Sequence, residues 1–451
     1  MSTPELRDTN IAVLGAARSG TAVARLLRSK GARVLVSDQR PAEQLREAAS
    51  ELASEGVDLE TGGHSERVFD STLMVLSPGV LSDAPVVREA LRRAIHVVSE
   101  VEVASWFCRP PIVAVTGSNG KTTTTTLIGR ILGDAKKKHV VAGNIGTAFS
   151  SVVLDLAEDE TAVLEISSFQ LDHCETFHPK ISVLLNITED HMDRYGHSMQ
   201  RYASSKARVF MNQTHDDILV YYADDPWTAE VVRNARCRRL PISLDKVHQE
   251  GAWVENDSIV LRIGGNRTEI IPTGQMSMRG SHNVLNAMAA ASVGYLAGVS
   301  PASIRATLRN FKGVEHRLEF VREIDGVRYY NDSKATNVDS VRYALQAFTD
   351  PVILFLGGRD KGNDYSRILD LVKQRAKAVI ALGESAERVE LSFRASLPVH
   401  RVSSMSEAVT VAAGLAKPGD VVLLSPACAS FDWFENYEHR GRVFKELVYR
   451  L

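Results

Sequence analysis

One short, glycine-containing segment is the part of the sequence best suited to chemistry. It lies between an apolar run at residues 112–115 and a predicted helix, and it reads Thr116-Gly117-Ser118-Asn119-Gly120-Lys121-Thr122-Thr123. Glycines let backbone N–H groups line a concavity that holds phosphate oxygens. A helix N-terminus adds partial positive charge, Lys121 can reach the β- and γ-phosphates, and Thr122 can offer its hydroxyl to magnesium. The segment therefore predicts a nucleotide site rather than a glycine-rich turn beside a surface lysine.

This phosphate loop is shorter than the common one. Only two residues separate Gly117 from Gly120, whereas the pattern Gly-x-x-x-x-Gly-Lys-[Ser/Thr] has four between its glycines. The position of the first glycine in that pattern is occupied by Val115. The shortened form resembles that of the Mur ligases and the folylpolyglutamate synthetases. The resemblance implies a reaction in which ATP phosphorylates a substrate carboxylate and an amine then attacks the acyl phosphate.

Two polar residues downstream are candidates to hold magnesium beside the phosphates. Glu165 ends an apolar run, and His191 follows an apolar strand predicted over residues 181–187. Both would open on the carboxyl edge of a parallel sheet, where ligands of open α/β sheets bind. A lone Glu is usually a solvated charge, and an acidic loop with one His is usually a helix start. The prediction therefore depends on their combination with the phosphate loop.

Lys206 lies in a polar predicted helix, where a lysine is usually a surface charge. The resemblance to the Mur ligases implies instead that this lysine is carbamylated by CO₂ and gives an anionic oxygen to a second magnesium ion. Such a lysine needs neighbouring cations that disfavour its ammonium form. The resemblance thus implies ATP and two Mg²⁺ ions as cofactors. The metal ligands would be Thr122, Glu165, His191 and carbamylated Lys206.

The same resemblance extends the ATP site into the last third of the chain. Arg317 is expected to be a cation that reaches the phosphates when domains close, and it joins Lys121, His191 and Lys206 as a predicted catalytic residue. The alternatives are that Asn283 and Asn286 cap a helix and that His316-Arg317 is a charged linker. In addition to His316, the resemblance assigns twelve residues to ATP: Gly117, Ser118, Asn119, Gly120, Lys121, Thr122, Thr123, Asn283, Asn286, Arg317, Asp332 and Lys334.

Three further segments, at 332–337, 357–362 and 425–432, resemble the family member that joins D-glutamate to UDP-N-acetylmuramoyl-L-alanine. The resemblance implies that Lys361 and Thr336 hold the α-carboxylate of D-glutamate. Ser430 and the backbone near Tyr437 would hold the side-chain carboxylate, since a substrate with two carboxylates needs a cation and several donors. Cys428 is expected to fill a buried turn rather than act as a nucleophile. A sibling ligase for another amino acid is the nearest alternative.

The first block carries Gly15-Ala16-Ala17-Arg18-Ser19-Gly20, a degraded Gly-x-Gly-x-x-Gly, and Asp38 ends its second strand as a ribose-binding acid would. An NAD-dependent dehydrogenase is therefore one alternative, and a motor-type ATP hydrolase is another. The resemblance implies a UDP-sugar site instead, with Asn144 and Gln170 at the muramoyl-alanine portion. The residues assigned to it are Ser19, Asp38, Gln39, Arg40, Ser77, Gly79, Asn144, Ser167 and Gln170.

The chain of 451 residues is too long for one hydrophobic core. Apolar strands alternate with helices in three blocks, which predicts an α/β protein with parallel sheets. A linker at Arg109-Pro110-Pro111 and a hinge at 311–313 separate the blocks. The predicted domains are a Rossmann-like, UDP-binding domain at 1–100, a central P-loop ATPase-type domain at 101–313 and a C-terminal Rossmann-like, amino-acid-binding domain at 314–451.

The net charge and the lack of a long apolar stretch argue against nucleic-acid and membrane partners, so small-molecule substrates are expected. The 53 basic and 55 acidic side chains give a formal charge of −2, which argues against a nucleic-acid partner. No stretch has the length of a membrane span, and the N-terminus has no apolar signal segment. Four scattered cysteines, at 108, 174, 237 and 428, predict reduced thiols in the cytoplasm. A monomer is expected.

Overall fold

The structure is a computed structural model that describes residues 4–278, 280–360 and 362–451. Lys361, the predicted D-glutamate ligand, lies outside the described residues. The chain divides into a first unit, Met1–Met276 with Val284–Asn310, and a second unit, Ser277–Asn283 with Phe311–Leu451. In the described residues no helix has both the length and the apolar character needed to cross a membrane. The four cysteines are present as free thiols.

The first unit opens with a parallel sheet of strand order β3-β2-β1-β4-β5. Alternate residues of β1 pack on opposite faces, with Ile11 and Val13 in one buried cluster and Ala12 and Leu14 in another. The first helix begins at Arg18, directly after the glycine turn. The elements are β1 Asn10–Leu14, α1 Arg18–Ser29, β2 Arg33–Asp38, α2 Arg46–Ser54, β3 Asp58–Thr61, β4 Leu73–Leu76, α3 Pro85–Arg92, β5 His96–Ser99 and α4 Glu100–Ser105.

A second sheet of the first unit contains the phosphate loop. Its elements are β6 Ile112–Thr116, α5 Lys121–Asp134, β7 His139–Gly143, β8 Thr161–Glu165, α6 Ser168–Asp172, β9 Ile181–Leu184, α7 Met199–Ala207, β10 Ile218–Tyr222, α8 Pro226–Val231, β11 Arg238–Ser243, β12 Gly251–Glu255, β13 Ser258–Ile263, β14 Asn266–Pro272, α9 Ser281–Leu296 and α10 Pro301–Asn310. The strand order is β14-β13-β12-β11-β10-β9-β6-β8-β7.

Two predictions for this sheet need correction. The parallel arrangement holds from β7 to β12, but β12, β13 and β14 form an antiparallel meander. Asn256-Asp257 and Gly264-Gly265 each provide two successive left-handed residues, which is the conformation that tight hairpins need. Strand β9 ends at Leu184 instead of residue 187. It ends early because the backbone of Asn186 hydrogen-bonds with the phosphate loop.

The second unit has a sheet of order β15-β16-β20-β17-β18-β19. It is parallel except for the hairpin of β15 and β16, which turns at Asp325-Gly326. Buried clusters cover both faces. The elements are β15 Glu319–Ile324, β16 Val327–Asn331, α11 Val338–Gln346, β17 Val352–Gly357, α12 Ser366–Arg375, β18 Ala376–Leu382, α13 Ala386–Phe393, β19 Val399–Arg401, α14 Met405–Leu415, β20 Val421–Leu424 and α15 Tyr437–Tyr449.

Candidate functional site

The phosphate loop connects β6 to α5 and is fixed by close contacts on two sides. Gly117 has a φ of +151° and Gly120 a φ of +87°, both in the region that favours glycine. A Cβ at Gly117 would lie 2.9 Å from the Cβ of Leu185, and one at Gly120 would lie 2.4 Å from Oδ1 of Asn286. Asn286 also accepts a hydrogen bond from Thr124, at 3.2 Å. These glycines therefore fit both the turn and its crowded surroundings.

Residues that follow β9 hold the loop by hydrogen bonds. The N–H of Ser118 donates to the Asn186 carbonyl at 2.7 Å, and the N–H of Asn119 donates to Oδ1 of Asn186 at 2.9 Å. Oγ of Ser118 accepts from the N–H of Thr188, at 3.0 Å. Thr122 and Thr123 are buried in the first turn of α5. The predicted loop residues are thus held in one rigid turn between a strand and a helix.

The carbonyl oxygen of Gly117 brings two predicted catalytic lysines together. Nζ of Lys121 and Nζ of Lys206 each donate to this oxygen, both at 2.8 Å, and Lys121 also donates to the Ser118 carbonyl at 2.9 Å. Lys206 stands near the end of α7, 89 positions after Gly117 in the chain. The structure thereby places Lys206 directly at the phosphate loop.

Lys206 is not a surface charge: its relative exposure is 1%. Burial lowers the pKa of its ammonium group well below the usual value, and the nearby charge of Lys121 lowers it further. Asp190 and Asp172 act in the opposite direction but more weakly. The ring of Tyr202 lies 4.5 Å from Nζ. The neutral amine, which is the form that reacts with CO₂, is favoured at this position.

Glu165 is buried at the carboxyl end of β8, beside the phosphate-loop strand. It pairs in register with Val115 of β6 and with Gly143 of β7. Its Oε1 accepts from Nδ2 of Asn144 at 2.9 Å, so this predicted metal ligand meets a predicted UDP-sugar residue. The Asn144 segment leaves β7 through Gly143, whose φ is +102° and where a Cβ would lie 2.4 Å from the Glu165 carbonyl oxygen.

Ser167 and Gln170 begin helix α6 just after Glu165. Oγ of Ser167 accepts from the N–H of Gln170, and the Gln170 side chain accepts from the N–H of Ser167, which makes a reciprocal capping box. Both residues are buried. Nε2 of Gln170 has no hydrogen-bond partner among the residues that the structure describes. The buried amide of Gln170 therefore has N–H groups that no described residue accepts.

His191 has a left-handed backbone, with a φ of +53°, where a short 3₁₀ helix begins. Its ring packs edge-on against Phe169 at 4.8 Å between centroids, and its Nε2 lies 3.7 Å from Asp190. The guanidinium of Arg194 stacks over the same Phe169 ring at 3.9 Å. It also donates to the carbonyls of Pro78 and Gly79, at 3.2 Å each. Sequence analysis assigned no role to Arg194, which joins the His191 segment to the predicted UDP turn.

The predicted UDP turns lie at the carboxyl edge of the first sheet. Ser77 donates to the Gly15 carbonyl at 3.0 Å, and a Cβ at Gly20 would lie 1.8 Å from that same oxygen. Ser19 is half-buried in the first turn of α1, and Gln39 and Gly79 are exposed. The Arg18 guanidinium donates to the Gly146 carbonyl, a contact that sequence analysis did not assign.

Asp38 is fully engaged by the protein itself. Its Oδ2 accepts from the N–H of Ala16 at 2.7 Å and from Nη2 of Arg40 at 2.7 Å, and its Oδ1 accepts from the N–H and Nε of Arg40. Burial favours the neutral carboxyl, but these bonds outweigh it and lower the pKa of Asp38 to about 2. Since the carboxylate holds Arg40 and the glycine turn, it is not arranged as the ribose acceptor that a dehydrogenase would use.

Asp332 is the central buried acid of the second unit. It accepts from the N–H of Leu318 at 3.2 Å and from Oγ of Ser425 at 2.7 Å. Burial raises the pKa of Asp332 to about 7, although the Ser425 bond and the charge of Arg317 act against this. Nε of Arg317 is buried, with no hydrogen-bond partner in the described chain. The nearby His282 has its pKa lowered to about 4 by burial and then by Arg317.

The second unit contains three further predicted ATP residues. Nδ1 of the buried His316 contacts Nδ2 of Asn331 at 2.8 Å, and Nζ of Lys334 lies 4.9 Å over the ring of Tyr437. Asn283 is half-buried within the second unit. The N–H of Lys334 donates to the His316 carbonyl at 3.1 Å, which joins the segment of His316 and Arg317 to that of Asp332 and Lys334.

A buried arginine supports the predicted D-glutamate residues. Arg440 of α15 is fully buried, and it donates to Oγ and the carbonyl of Ser333 at 2.9 and 2.7 Å and to the Cys428 carbonyl at 3.1 Å. Oγ of Ser333 donates to the Tyr437 carbonyl at 2.8 Å. Arg440 thus ties the turn before half-buried Thr336 to the turn before buried Ser430. Burial lowers the pKa of Arg440 to about 10.

Sequence analysis missed Arg440, although a signal was present. Arg440, Phe444 and Val448 recur at four-residue spacing and are all buried, so a charge stands in the apolar stripe of a helix. Cys428 is buried, as expected for a turn-filling residue, and burial raises the pKa of its thiol.

Glu315, His316 and Glu319 have the spacing of a metal cluster, with their ligand atoms within 4.8 Å of one another. An ammonium group already satisfies the acids there: Nζ of Lys445 lies 2.6 Å from Glu315 and 2.8 Å from Glu319. We therefore assign no metal to this cluster.

Three domain families match the chain in succession. Residues 9–99 match the Mur ligase MurD-like N-terminal domain, 115–294 the Mur ligase middle domain and 316–428 the Mur ligase glutamate ligase domain. The chain is 46% identical to the UDP-N-acetylmuramoylalanine–D-glutamate ligase of Salinibacter ruber, over 99% of each chain. It is 42% identical to the ligase of the same name from Chloroherpeton thalassium, over 100% of each.

A solved structure shares the fold. The pseudomurein peptide ligase type C of Methanothermus fervidus aligns with a TM-score of 0.62 at 20% identity, over 98% of this chain and 100% of that one.

Proposed function

The chain belongs to the Mur ligase family, and on that premise we propose how its residues carry out the ligation. The protein is an ATP-dependent ligase that adds D-glutamate to UDP-N-acetylmuramoyl-L-alanine in peptidoglycan precursor synthesis. The carboxylate of the alanine attacks the γ-phosphorus of ATP and ADP leaves. The D-glutamate nitrogen then attacks the acyl phosphate, an amide forms, and phosphate and a proton leave.

The observation that carries the mechanism is the Gly117 carbonyl with its two lysines. Transfer of the γ-phosphoryl group to a carboxylate brings negative groups together, so the site must supply cations. Lys121 is such a cation on the phosphate loop itself, and the loop N–H groups and the α5 N-terminus add partial positive charge. When the phosphates enter, we expect Lys121 to exchange its bonds with Gly117 and Ser118 for phosphate oxygens.

We infer that magnesium binds next to the phosphate loop. Thr122 of the first turn of α5 and the buried Glu165 at the end of β8 carry the oxygen atoms that magnesium prefers, and His191 would add an imidazole. Members of the family use ATP with Mg²⁺, which when bound neutralises phosphate charge and polarises the reacting phosphoryl group. Burial and the charge of Lys121 lower the pKa of Lys206, which supports its carbamylation, and a carbamate would provide an anionic oxygen for a second ion. These four residues are our proposed metal ligands.

We assign the main part of each substrate site to one predicted domain, with further contacts from a neighbouring domain. The domain at 1–100 binds UDP through the Ser19, Asp38–Arg40 and Ser77–Gly79 turns, the domain at 101–313 binds ATP, and the domain at 314–451 binds D-glutamate. Asn144, Ser167 and Gln170 are proposed for the muramoyl-alanine portion, because Asn144 donates to Glu165 and the other two form the helix cap that follows Glu165 in the chain. Lys361, Thr336, Ser430 and the Tyr437 backbone are proposed for D-glutamate. Arg317, Asp332, Lys334, Asn283 and Asn286 complete the ATP site. We propose that the protein acts as a monomer in the cytoplasm and that its partners are small molecules only.

A panel of phosphate-release assays tests the activity. With ATP, Mg²⁺ and UDP-N-acetylmuramoyl-L-alanine present, release should require D-glutamate and should be negligible with L-glutamate, L-lysine or no amino acid. Release without an amino acid would indicate a motor-type hydrolase, and equal use of another amino acid would indicate a sibling ligase. NADH fluorescence that responds to the protein would favour a dehydrogenase.

A further inference from the structure

A chain of three polar side chains ends beside the proposed UDP turn. Oγ of Ser37, fully buried at the end of β2, lies 2.6 Å from Oε1 of Glu60 and 2.6 Å from Nδ1 of His64. Glu60 also accepts from the N–H and Oγ of Ser65, at 3.1 and 2.6 Å. His64 itself is half-buried. The proposed ligase function does not use any of these three residues.

The hydrogen bonds determine where the proton of His64 lies. The bonds from Ser37 and Ser65 lower the pKa of Glu60 in spite of its burial, so Glu60 is a carboxylate that only accepts. The single hydroxyl proton of Ser37 therefore points to Glu60, and the 2.6 Å contact with His64 requires a proton on Nδ1. Burial lowers the pKa of His64, so its ring is neutral and Nε2 carries a lone pair. Nε2 has no hydrogen-bond partner within the described residues.

Backbone bonds fix this imidazole next to the proposed UDP turn. The N–H of Gly62 donates to the Arg40 carbonyl at 2.9 Å, and the N–H of Gly63 approaches the Asp38 carbonyl at 3.4 Å. Gly62 has a φ of +77°, and a Cβ added at either glycine would meet nothing within 4 Å. The segment that holds His64 is therefore anchored to the Asp38–Arg40 turn and open on the other side.

Ser37, the hydrogen-bond partner of His64, shares a sheet face with a residue next to the second UDP turn. Side chains alternate along a strand, so Ser37 points to the same face of β2 as Leu35. Leu35 packs in one cluster with Val80, which directly follows the Ser77–Gly79 turn. A Cβ at Gly79 would meet nothing within 4 Å. The imidazole of His64 therefore adjoins the face of the first sheet on which we place the base, next to the Asp38–Arg40 turn.

We propose that Nε2 of His64 accepts a hydrogen bond from the imide N3–H of the uracil base and so selects uracil over cytosine. This rests on the proposed function, which puts UDP at these turns. The chemistry is discriminating, because uracil carries a proton on N3 whereas cytosine carries a lone pair there. Ser37 and Glu60 act as positioning residues that keep the imidazole in the accepting tautomer.

A hydrolytic triad is the other reading of a serine, a histidine and an acid. In such a triad the histidine lies between the serine and the acid, and the serine is accessible. Here the serine lies between the two others and is fully buried. The order of the three groups therefore favours an orienting chain over a nucleophile.

Calorimetric titration of the full chain with UDP, CDP and 2′-deoxy-UDP tests the proposal. Wild type should bind UDP at least about tenfold more tightly than CDP, the effect expected when one hydrogen bond is replaced by two facing lone pairs. In His64→Phe the UDP-to-CDP ratio should fall below about threefold, and the ratio of UDP to 2′-deoxy-UDP should not change. His215→Phe, the same change at an imidazole that is 86% exposed, should keep the wild-type ratios.

Four outcomes would overturn the proposal. A UDP-to-CDP ratio that survives His64→Phe would mean that another group reads the base. A change confined to 2′-deoxy-UDP would mean that His64 contacts the ribose. Absence of UDP binding to wild type would overturn the proposed UDP site as well, which distinguishes the two failures. If His64→Phe does not fold, Ser37→Ala is the deciding variant. Without Ser37 the His64 ring can adopt either tautomer, so the UDP-to-CDP ratio should fall by at least about threefold. An unchanged UDP-to-CDP ratio in Ser37→Ala would refute the proposal.

Discussion

The two lysines that donate to the Gly117 carbonyl differ in what surrounds them. Lys121 is half-buried at the first position of α5, whereas Lys206 is 1% exposed. Burial of an ammonium group is costly, and a neutral amine or an anionic carbamate paired with a cation relieves that cost. The same carbonyl therefore adjoins one lysine suited to phosphate and one suited to CO₂.

Replacing Lys121 by Ala should leave the fold intact and reduce turnover by about 10²–10³, the usual effect of removing one electrostatic stabiliser of a transition state. The backbone cradle of the loop remains, so some ATP binding should persist. Steady-state phosphate release and a thermal melt measure the two effects. Lys138→Ala, at an exposed lysine paired with Asp159, is the matched control and should be close to wild type. Near-wild-type turnover of Lys121→Ala would refute the ATP-site assignment.

Replacing Lys206 by Ala should nearly abolish activity, and small carboxylic acids added to the assay should restore part of it. A carboxylate can take the place of the carbamate oxygens, whereas Lys206→Arg cannot take up CO₂ and should not be rescued. The measurement is phosphate release against acetate or formate concentration. Full activity of Lys206→Ala, or equal rescue of wild type and variant, would contradict the carbamate proposal.

At the scale of elements, the phosphate loop depends on packing between β9, α5 and α9. The hydrogen bonds from Ser118 and Asn119 reach the segment after β9, and Asn286 of α9 lies where a Cβ of Gly120 would be. The residues after Leu184 therefore leave the strand and hydrogen-bond with the phosphate loop instead.

Gly120→Ala should weaken ATP binding and destabilise the protein by about 1–2 kcal/mol or more, because a left-handed alanine is strained and its Cβ would meet Asn286. Urea unfolding and the Michaelis constant for ATP measure both effects. Gly414→Ala, inside α14 with nothing within 4 Å of the new Cβ, should stabilise by about 0.5–1 kcal/mol. An unchanged Michaelis constant in Gly120→Ala would show that the loop tolerates another conformation.

Helix α15 offers a second test at this scale. Arg440→Ala should cost about 1–3 kcal/mol for each buried acceptor left without a donor, namely the Ser333 and Cys428 carbonyls. Because those turns precede Thr336 and Ser430, the Michaelis constant for D-glutamate should rise more than that for ATP. Arg442→Ala, at an exposed arginine of the same helix, is the control. Equal changes in both constants would reduce Arg440 to a purely structural role.

At the scale of the whole molecule, three substrates are assigned to three domains. An acyl phosphate exposed to water hydrolyses, so we expect catalysis to require domain closure that excludes water. A substitution in one domain should then raise the Michaelis constant of the substrate assigned to that domain more than those of the other two substrates.

Lys361→Ala should weaken D-glutamate far more than ATP or the UDP sugar, since a charge-assisted contact contributes roughly 1.5–3 kcal/mol, or about 10- to 150-fold. Wild type should also strongly prefer D- over L-glutamate, because inversion misplaces one carboxylate relative to its donors. Michaelis constants for all three substrates measure this, with Lys373→Ala, an exposed lysine of α12, as the control. An equal rise for the three substrates would contradict the assignment of D-glutamate to this residue.

What the sequence determined by itself was local. The phosphate loop is a contiguous run of residues, and its glycines, lysine and threonine suffice to predict a turn between a strand and a helix. The parallel strands of the first sheet were predicted because each strand and helix has its own hydrophobic period. The antiparallel strands β12 to β14 were missed, although Asn256-Asp257 and Gly264-Gly265 are hairpin signals.

The tertiary structure alone decided which groups meet. Lys206 lies in a helix of polar composition and is buried only because α7 packs beside a loop 89 positions earlier. Asp38 has the position of a ribose acceptor, yet Arg40 and Ala16 satisfy it. His64 and Arg440 belong to no sequence motif. Their proposed roles follow from their hydrogen bonds with Ser37 and Ser333. Burial, tautomer and hydrogen-bond saturation are properties of contacts between distant residues, so a local pattern cannot specify them.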